Sequence, residues 1–379
     1  MSTATTEPLP VSHQDPVNKQ ILVVSEDRIQ GFHRDPLGEI SRLSGVPVET
    51  VAARIAAMLR AGTIRRVRQT LMSTNLAPGA LVAWNVPAEN LEPAFEFLFK
   101  QDPFSGHVVV RSTDAETPGS QYKLWTTLKV PQGFSLEKHC ELLRARVGAR
   151  SFRIMPARGI FALGVGHARR SSMEPGARIE SPAVMNPVRV THLEPEEWRV
   201  LKILKREFAP EEIGPFLWEG RAREAGLAPD EFYAVAERLV AKQVIGRFST
   251  FLEHVKPTAT GERVTRFNAL FHWAAPKGQE EAVGREVGRH IILTHCYWRE
   301  GGPEFNHVNI MAVAHGTEKE KVLAHKAAID GHLRDCGFSI SYTNIFWGGR
   351  SEIKPSEIFP DEYEAWARSM GADPAAMKA

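Results

Sequence analysis

Ala80-Leu81-Val82-Ala83-Trp84-Asn85-Val86-Pro87 and Ala269-Leu270-Phe271-His272-Trp273-Ala274-Ala275-Pro276 carry alanine, leucine, tryptophan and proline at the same four positions. Each is an apolar run of strand length, and the proline that closes it has no N–H to continue a ladder. Downstream of the first run, residues 89–99 have the spacing of an amphipathic helix, and residues 106–111 and 122–130 are rich in β-branched and aromatic side chains. Residues 135–146 are helical again, and residues 151–155 close a β-α-β-β-α-β series, the order of a ferredoxin-like domain. After the second run the series repeats. Strands are expected at 290–293 and 308–313, and Ser341-Tyr342-Thr343-Asn344-Ile345-Phe346 answers Met155-Pro156-Ala157-Arg158-Gly159-Ile160-Phe161. The chain therefore reads as a tandem duplication of the α+β class.

A smaller pattern stands ahead of each such domain. Residues 36–43 read as a short helix, Ser44-Gly45-Val46-Pro47 as a tight turn, and residues 48–59 as a second helix with Val51, Ile55, Met58 and Leu59 on one face. Gly62 supplies a left-handed stop. The β-prone stretches 63–67 and 70–72 suggest a hairpin, and helix, turn, helix and hairpin together make a winged helix. The pattern returns as helices over 194–207 and 230–242, and Val244-Ile245-Gly246-Arg247-Phe248 mirrors the earlier wing. The expected organisation begins with a disordered lead over 1–25, a winged helix over 26–78 and a ferredoxin-like domain over 79–166. A linker over 167–193, containing Arg169-Arg170-Ser171-Ser172, leads to a second winged helix over 194–262 and a second ferredoxin-like domain over 263–350. The extension over 351–379 carries Phe359, Tyr363 and Trp366, which suggest a docked helix.

At 379 residues the chain is longer than one compact domain, and 43% hydrophobic with 24% charged residues is an ordinary globular balance. Its 47 basic residues stand against 45 acidic ones, and a net charge of +2 argues against a chain that coats nucleic acid. Cys140, Cys296 and Cys336 lie far apart with no CxxC spacing, so neither a disulfide framework nor a cysteine zinc site is expected. No apolar run approaches the roughly 20 residues that span a bilayer, and no signal-peptide core precedes residue 18, so a cytoplasmic location is expected.

Four segments carry a family likeness. Thr294-His295-Cys296-Tyr297-Trp298-Arg299 is followed, after a Gly/Pro loop, by Val308-Asn309-Ile310-Met311-Ala312-Val313-Ala314-His315-Gly316; the first half holds Tyr122-Lys123-Leu124-Trp125-Thr126-Thr127-Leu128 and the segment 155–161. With the domain pairing, these resemble the siroheme decarboxylases, a branch of the Lrp/AsnC group of amino-acid-responsive regulators. The two homologous subunits of that family, sometimes fused, remove the acetate carboxyl groups of siroheme to give didecarboxysiroheme in alternative haem and haem d1 synthesis. The resemblance implies a fusion of both subunits, an intrachain pseudo-dimer, and no cofactor apart from the iron tetrapyrrole substrate itself. It also implies departures. Arg111-Ser112-Thr113-Asp114 stands where the first half should carry Thr-His-Asn-Tyr, which sets Arg111 opposite Thr294 and leaves one histidine position missing. Lys123 stands at a usual asparagine, and Val308 where tyrosine is common.

Removing an acetate arm requires a grip on carboxylates, an apolar slot for a planar ring, and a proton delivered to carbon as carbon dioxide leaves. Guanidinium groups grip carboxylates in pairs of hydrogen bonds, and imidazole titrates near neutrality. His295, at an expected strand end beside Tyr297 and Arg299, is the acid/base candidate, and Tyr297 joins it. The loop Gly301-Gly302-Pro303 would bring His315 next to it across two antiparallel strands. Candidate substrate-binding residues are Arg111, Arg299, Lys123 and Asn309, with Tyr122 and Trp125 as ring contacts or core, and Arg66 and Arg247 because they recur at matching wing positions. His272, His290, His295, His307 and His315 crowd the second half, yet none is read as an i, i+4 helical pair with a carboxylate, so no dedicated metal site is expected. An axial bond from one of them to a haem iron stays open.

Two other functions suit the same organisation. A DNA-binding regulator would present Arg, Lys, Asn or Gln from its recognition helix. Here the first such helix presents Glu49, Thr50, Ala52, Ala53 and Ala56 with Arg54, and the second Asp230, Glu231, Tyr233, Ala234 and Glu237, whose acids repel phosphates. A haem- or tetrapyrrole-binding sensor or carrier would keep the pocket and omit the chemistry. Self-association into a homo-oligomer through sheet edges is a further expectation.

Overall fold

A computed structural model describes residues 9–72, 75–77, 79–163, 173–253 and 265–379. The first half contains α1 (Pro16–Ser25), β1 (Ile29–Gln30), α2 (Pro36–Ser44), α3 (Val48–Arg60), β2 (Ile64–Leu71), β3 (Gly79–Asn85), α4 (Leu91–Lys100), β4 (Ser105–Ser112), β5 (Leu124–Lys129), α5 (Leu136–Val147) and β6 (Ser151–Leu163). After β7 (Asn186–Pro187), the second half begins with α6 (Pro195–Leu204), α7 (Glu219–Ala225), α8 (Pro229–Ala241) and β8 (Ile245–Leu252). It continues through β9 (Phe267–Ala274), α9 (Glu280–Gly288), β10 (Leu293–Arg299), β11 (Ile310–Gly316), α10 (Lys319–Asp335), β12 (Tyr342–Ile353) and α11 (Pro360–Ser369). These elements make two compact units, one of Met1–Met72, Gly164–Ser172 and His192–Val264, the other of Ser73–Leu163, Met173–Thr191 and Thr265–Ala379. Both halves of the sequence thus contribute to each unit.

In the first unit, residues 16–25 are helix rather than disordered lead. Asp15 caps α1 by accepting from the N–H groups of Val17 and Asn18, and Pro16 presets the first turn. Ile21 and Leu22 are then fully buried, which gives the segment a reason to fold. α2 opens on an Asp35 cap and stops at Gly45 in the left-handed region. Residues 63–72 do not make a hairpin. β2 is one strand, and it pairs antiparallel with β8 of the other half in a sheet ordered β1-β8-β2. The apolar alternation of the wing is satisfied by the duplicate copy rather than by a local turn.

The second unit holds a closed barrel. Within each half the strands lie in the order fourth, first, third, second: β6-β3-β5-β4 and β12-β9-β11-β10. The second strand of each half then pairs antiparallel with the fourth of the other, β4 with β12 and β10 with β6, so eight strands close on themselves. Closure removes the exposed edges that open sheets must protect. Side chains at alternate positions fall into separate cores. Outside, Val82, Trp84, Phe95, Phe104, Leu124 and Leu143 pack under α4 and α5, and Phe271, Trp273, Val287, Ile310 and Ile329 under α9 and α10. Inside, Ala83, Val109, Trp125, Met155, Leu270, Met311 and Phe346 gather with Phe305.

The expected strand 290–293 begins instead at Leu293 and runs to Arg299, because His290 is caught in a turn with its N–H on the Val287 carbonyl at 3.1 Å. Its partner likewise shifts from 308–313 to Ile310–Gly316. The later part of the expected linker lies along the barrel: β7 pairs with β6, and Ala183 is buried with its N–H on the Arg285 carbonyl. Arg169-Arg170-Ser171-Ser172 lie outside the described residues. The extension does dock. Tyr363 and Trp366 of α11 enter the first-half outer core, where the Tyr363 hydroxyl meets His139 Nδ1 at 3.1 Å and His139 Nε2 lies 3.5 Å from Asp102. No helix among the described residues is long and apolar enough to cross a membrane.

The seam between β6 and β10 is covered by α9, and it depends on two glycines. A Cβ at Gly284 would overlap the Phe161 ring, and one at Gly288 would meet Phe161 Cβ at 2.9 Å and Ala183 Cβ at 2.8 Å. Gly284→Ala should therefore destabilise the protein by about 1–3 kcal/mol through overpacking, read as a lower denaturant midpoint. Gly331→Ala, in α10 with only the tip of Arg334 within 4 Å, is the control and should cost nothing. Equal loss in both variants would show that the seam does not depend on this close approach.

Candidate functional site within the barrel

The strand register decides which side chains share the barrel interior. Met311 and Leu270 are inside, so their partners Tyr297 and Phe346 face inward, as do residues two positions along each strand. On β10 this selects His295 and Tyr297 within the strand and Arg299 at its last position. The three form a ladder. The Arg299 guanidinium lies 4.4 Å from the Tyr297 ring centre, and the Tyr297 and His295 rings are near-parallel, 16° apart in plane with centres at 6.0 Å. Arg299 also donates to the Met155 carbonyl at 2.6 Å.

Thr294 joins His295 and His315. Its Oγ1 donates to the Val313 carbonyl at 3.2 Å and lies 3.0 Å from His295 Nδ1 and 3.4 Å from His315 Nδ1. Both imidazoles are half-buried, so they keep a path to solvent while facing inward. The loop after β10 joins antiparallel neighbours with His295 opposite Val313, which brings His295 and His315 together as expected, and its Phe305 turns back into the barrel, 5.3 Å from the rings of both Tyr122 and Trp125.

The register also corrects the correspondence between the halves. Trp84 lies opposite Leu124, which lies opposite Val110; Trp273 lies opposite Ile310, which lies opposite Trp298. The next residues are Arg111 and Arg299, and each N–H reaches a matching carbonyl, Lys123 at 2.7 Å and Asn309 at 2.9 Å. Arg111 is therefore the counterpart of Arg299, not of Thr294. By the same steps His107, opposite Thr127, matches His295, opposite Val313, each just after a register shift. Lys129 opposite Gly79 matches His315 opposite Asn268. The first half does carry a histidine at the equivalent place, five residues before Ser112, the position that the motif order sets opposite His295.

Three cations line this interior without an acidic partner. Arg111, Arg299 and Lys129 make no ion pair among the described residues. Arg111 donates from Nη1 to Asn268 Oδ1 and the Phe346 carbonyl, both at 3.3 Å, and burial pushes its guanidinium down to about 10. Burial likewise lowers Arg299, with Tyr297 acting in the opposite direction. Lys129 stands apart: burial, then the charge of Arg299, pushes its amine down to about 7. His107 Nε2 lies 2.7 Å from Ser351 Oγ.

Other expected site residues do structural work or lie elsewhere. Asn309 clamps Ala275 through both ends of its amide, Oδ1 accepting at 2.8 Å and Nδ2 donating at 2.9 Å, which is a structural role. Lys123 is exposed. Tyr122 and Trp125 are buried in the interior core, with Trp125 Nε1 on the Tyr122 carbonyl at 2.7 Å. Arg66 and Arg247 belong to the first unit, where Arg66 pairs with Glu207 at 3.3 Å and Arg247 donates to the Glu26 carbonyl at 3.1 Å. His272 faces inward among Trp125, Phe305 and Phe346, and burial pushes it down to about 3, so it is neutral and unsuited to proton delivery. His307 is exposed in the loop. Sequence reading missed His107, Lys129 and Asn268; the signal was present in the alternation of 107, 109 and 111, but motif order sets the halves five residues out of step.

An AsnC-like ligand binding domain is matched by residues 77–161 and again by 265–339, once in each half. The siroheme decarboxylase NirDL subunit of Paracoccus pantotrophus is 22% identical over 307 residues, spanning 78% of this chain and 85% of that protein. The siroheme decarboxylase beta subunit of Desulfovibrio desulfuricans is 26% identical over 129 residues, 34% of this chain and 76% of its own length. A crystal structure of the siroheme decarboxylase NirDL matches with a TM-score of 0.64 at 19% identity, covering 93% of this chain and 97% of that one. A second, in co-complex with an iron-uroporphyrin III analogue, matches at 0.63 and 20%, covering 93% and 98%. The likeness to siroheme decarboxylases carried by the four motifs is borne out, and the fold is shared along nearly the whole chain.

The Lys129 environment can be measured directly. After reductive methylation with a carbon-13 label, the lysine resonance that vanishes in Lys129→Arg should titrate near 7, whereas exposed lysines titrate at about 10.4. A Lys129 midpoint in the ordinary range would remove the unpaired interior cation.

Proposed function

We propose that this chain is a siroheme decarboxylase in which both subunits of the family are fused, each half a winged helix followed by a ferredoxin-like domain. The observation that carries the reading is the barrel interior: Arg111, Arg299 and Lys129 lack acidic partners among the described residues and share that face with His107, His295 and His315. Uncompensated buried cations favour an anionic ligand that supplies the missing charge. In a chain similar to siroheme decarboxylases over most of its length, that ligand is a tetrapyrrole bearing acid arms.

The chemistry follows from these groups. Guanidinium and ammonium donors hold a carboxylate and orient the bond to be broken. As the bond between the methylene and carboxylate carbons breaks, its electron pair passes to the methylene carbon, a proton from imidazole joins that carbon, and carbon dioxide leaves. An acetate arm and a proton become a methyl group and carbon dioxide. Half-buried His295 recovers its proton from solvent, and Thr294 fixes the orientation of its ring. Tyr297 holds the guanidinium of Arg299 and presents an aromatic face to the ring system. The matched sets His107–Arg111–Lys129 and His295–Arg299–His315 give one station for each of two acetate arms. Iron enters with the substrate.

Anaerobic incubation of the purified protein with siroheme, followed by mass analysis, should show products lighter by one and two carbon dioxide units. An unchanged mass with a shifted Soret band would mean a carrier. His295→Ala should slow the loss of carbon dioxide at its own station by about 10²–10⁴-fold while leaving ring binding intact, as loss of a positioned acid does. His107→Ala should do the same at the other station, so each variant halts after the loss of one carbon dioxide. Complete double turnover in His107→Ala would reduce His107 to a bystander. Binding should also depend on pH: Lys129 is protonated below about 7, so affinity for the carboxylated substrate falls as pH rises through that value, and Lys129→Gln flattens that dependence.

A further inference from the structure

Outside the barrel, where α9 and α10 pack against each other, two pairs of side chains spaced four residues apart face one another. Glu286 and His290 come from the end of α9 and the turn beyond it, and His332 and Cys336 from the end of α10. We propose that this cluster is a binding site for a divalent transition metal of the zinc class, distinct from the barrel interior. One donor atom each from Glu286, His332 and Cys336 already lies within 4.8 Å of the other two. His332 Nε2 is 2.7 Å from Glu286 Oε2, and Cys336 Sγ is 3.7 Å from His332 Nε2. Four ligands at about 2.0–2.3 Å from a tetrahedral ion require donor separations of this order.

The fourth donor is His290. Its side chain is 2% exposed, its ring centre lies 5.4 Å from that of His332, and its Nε2 has no hydrogen-bond partner. A buried imidazole nitrogen with nothing to bond is costly unless something occupies it. Thiolate, imidazole and carboxylate together are the donor set of zinc sites, and the two anionic ligands offset the charge of the ion. Arg289 donates to Glu286 Oε2 at 2.8 Å, the same oxygen that His332 approaches, which leaves Oε1 without a partner among the described residues. Binding replaces the proton shared by Glu286 and His332 with the metal. Cys336 is exposed, so the ion enters from solvent, and Cys140 and Cys296 are buried and do not compete.

Cobalt(II) titration of the tag-free full chain under reducing, oxygen-free conditions tests the site. One equivalent should produce a thiolate-to-cobalt charge-transfer band and intense visible bands of tetrahedral cobalt, both displaced by zinc. Cys336→Ser, at an exposed position that leaves the fold intact, should abolish the charge-transfer band. His290→Gln and His332→Gln should each weaken binding at least tenfold, with circular dichroism confirming that the proteins are folded. No thiolate band at one equivalent of cobalt, or a band that persists in Cys336→Ser, would leave the cluster as a Glu–His ion pair beside a free thiol. Neither readout involves tetrapyrrole, so the result is independent of the activity proposed for the barrel.

Discussion

Two antiparallel seams, β4 against β12 and β6 against β10, hold the second unit together, and everything chemical in it depends on them. Each joins the second strand of one half to the fourth strand of the other. A four-stranded sheet alone would leave two edges with unpaired N–H and C=O groups, and would turn one apolar face to water. Closure satisfies both needs at once. It also encloses Arg111 and Arg299, whose buried guanidinium groups donate to peptide carbonyls and, from Arg111, to Asn268.

The first unit uses the same device on a smaller scale. β8 lies between β1 and β2, so each half lends a strand to the sheet of the other. Glu207 and the Glu26 carbonyl occupy Arg66 and Arg247 there, and these arginines owe their recurrence to the duplicated sheet. Recurrence in a duplicated chain marks a shared scaffold at least as readily as a shared ligand.

Much of the fold was legible because local signals are strong. The proline-closed runs at 80–87 and 269–276, the caps and the three- and four-residue apolar spacing all report on neighbours in sequence. Barrel closure was not legible, since strand pairing between halves leaves no local mark beyond alternation. The same limit explains the site. Motif spacing found His295, Tyr297, Arg299 and His315, which lie on adjacent strands of one half. It mis-set Arg111 by aligning residues along the chain, where only ladder register fixes equivalence. Asn309 was chosen for its position in a motif, and its amide is spent on Ala275, a fact visible only in three dimensions. The docking of residues 360–369 was readable from Tyr363 and Trp366, whereas the helix at 16–25 was masked by the polar residues around it.

Covalent linkage of the halves has a consequence for symmetry. In a dimer of identical chains, equivalent positions mutate together and must remain alike. Here Lys129 faces His315, Val109 faces Tyr297 and Gly79 faces Asn268 across the pseudo-twofold, while His107 and Arg111 keep their counterparts. The two halves thus present different side chains at three equivalent positions and the same ones at two. The enclosure is therefore handed, and anything lodged within it meets unlike walls on its two sides.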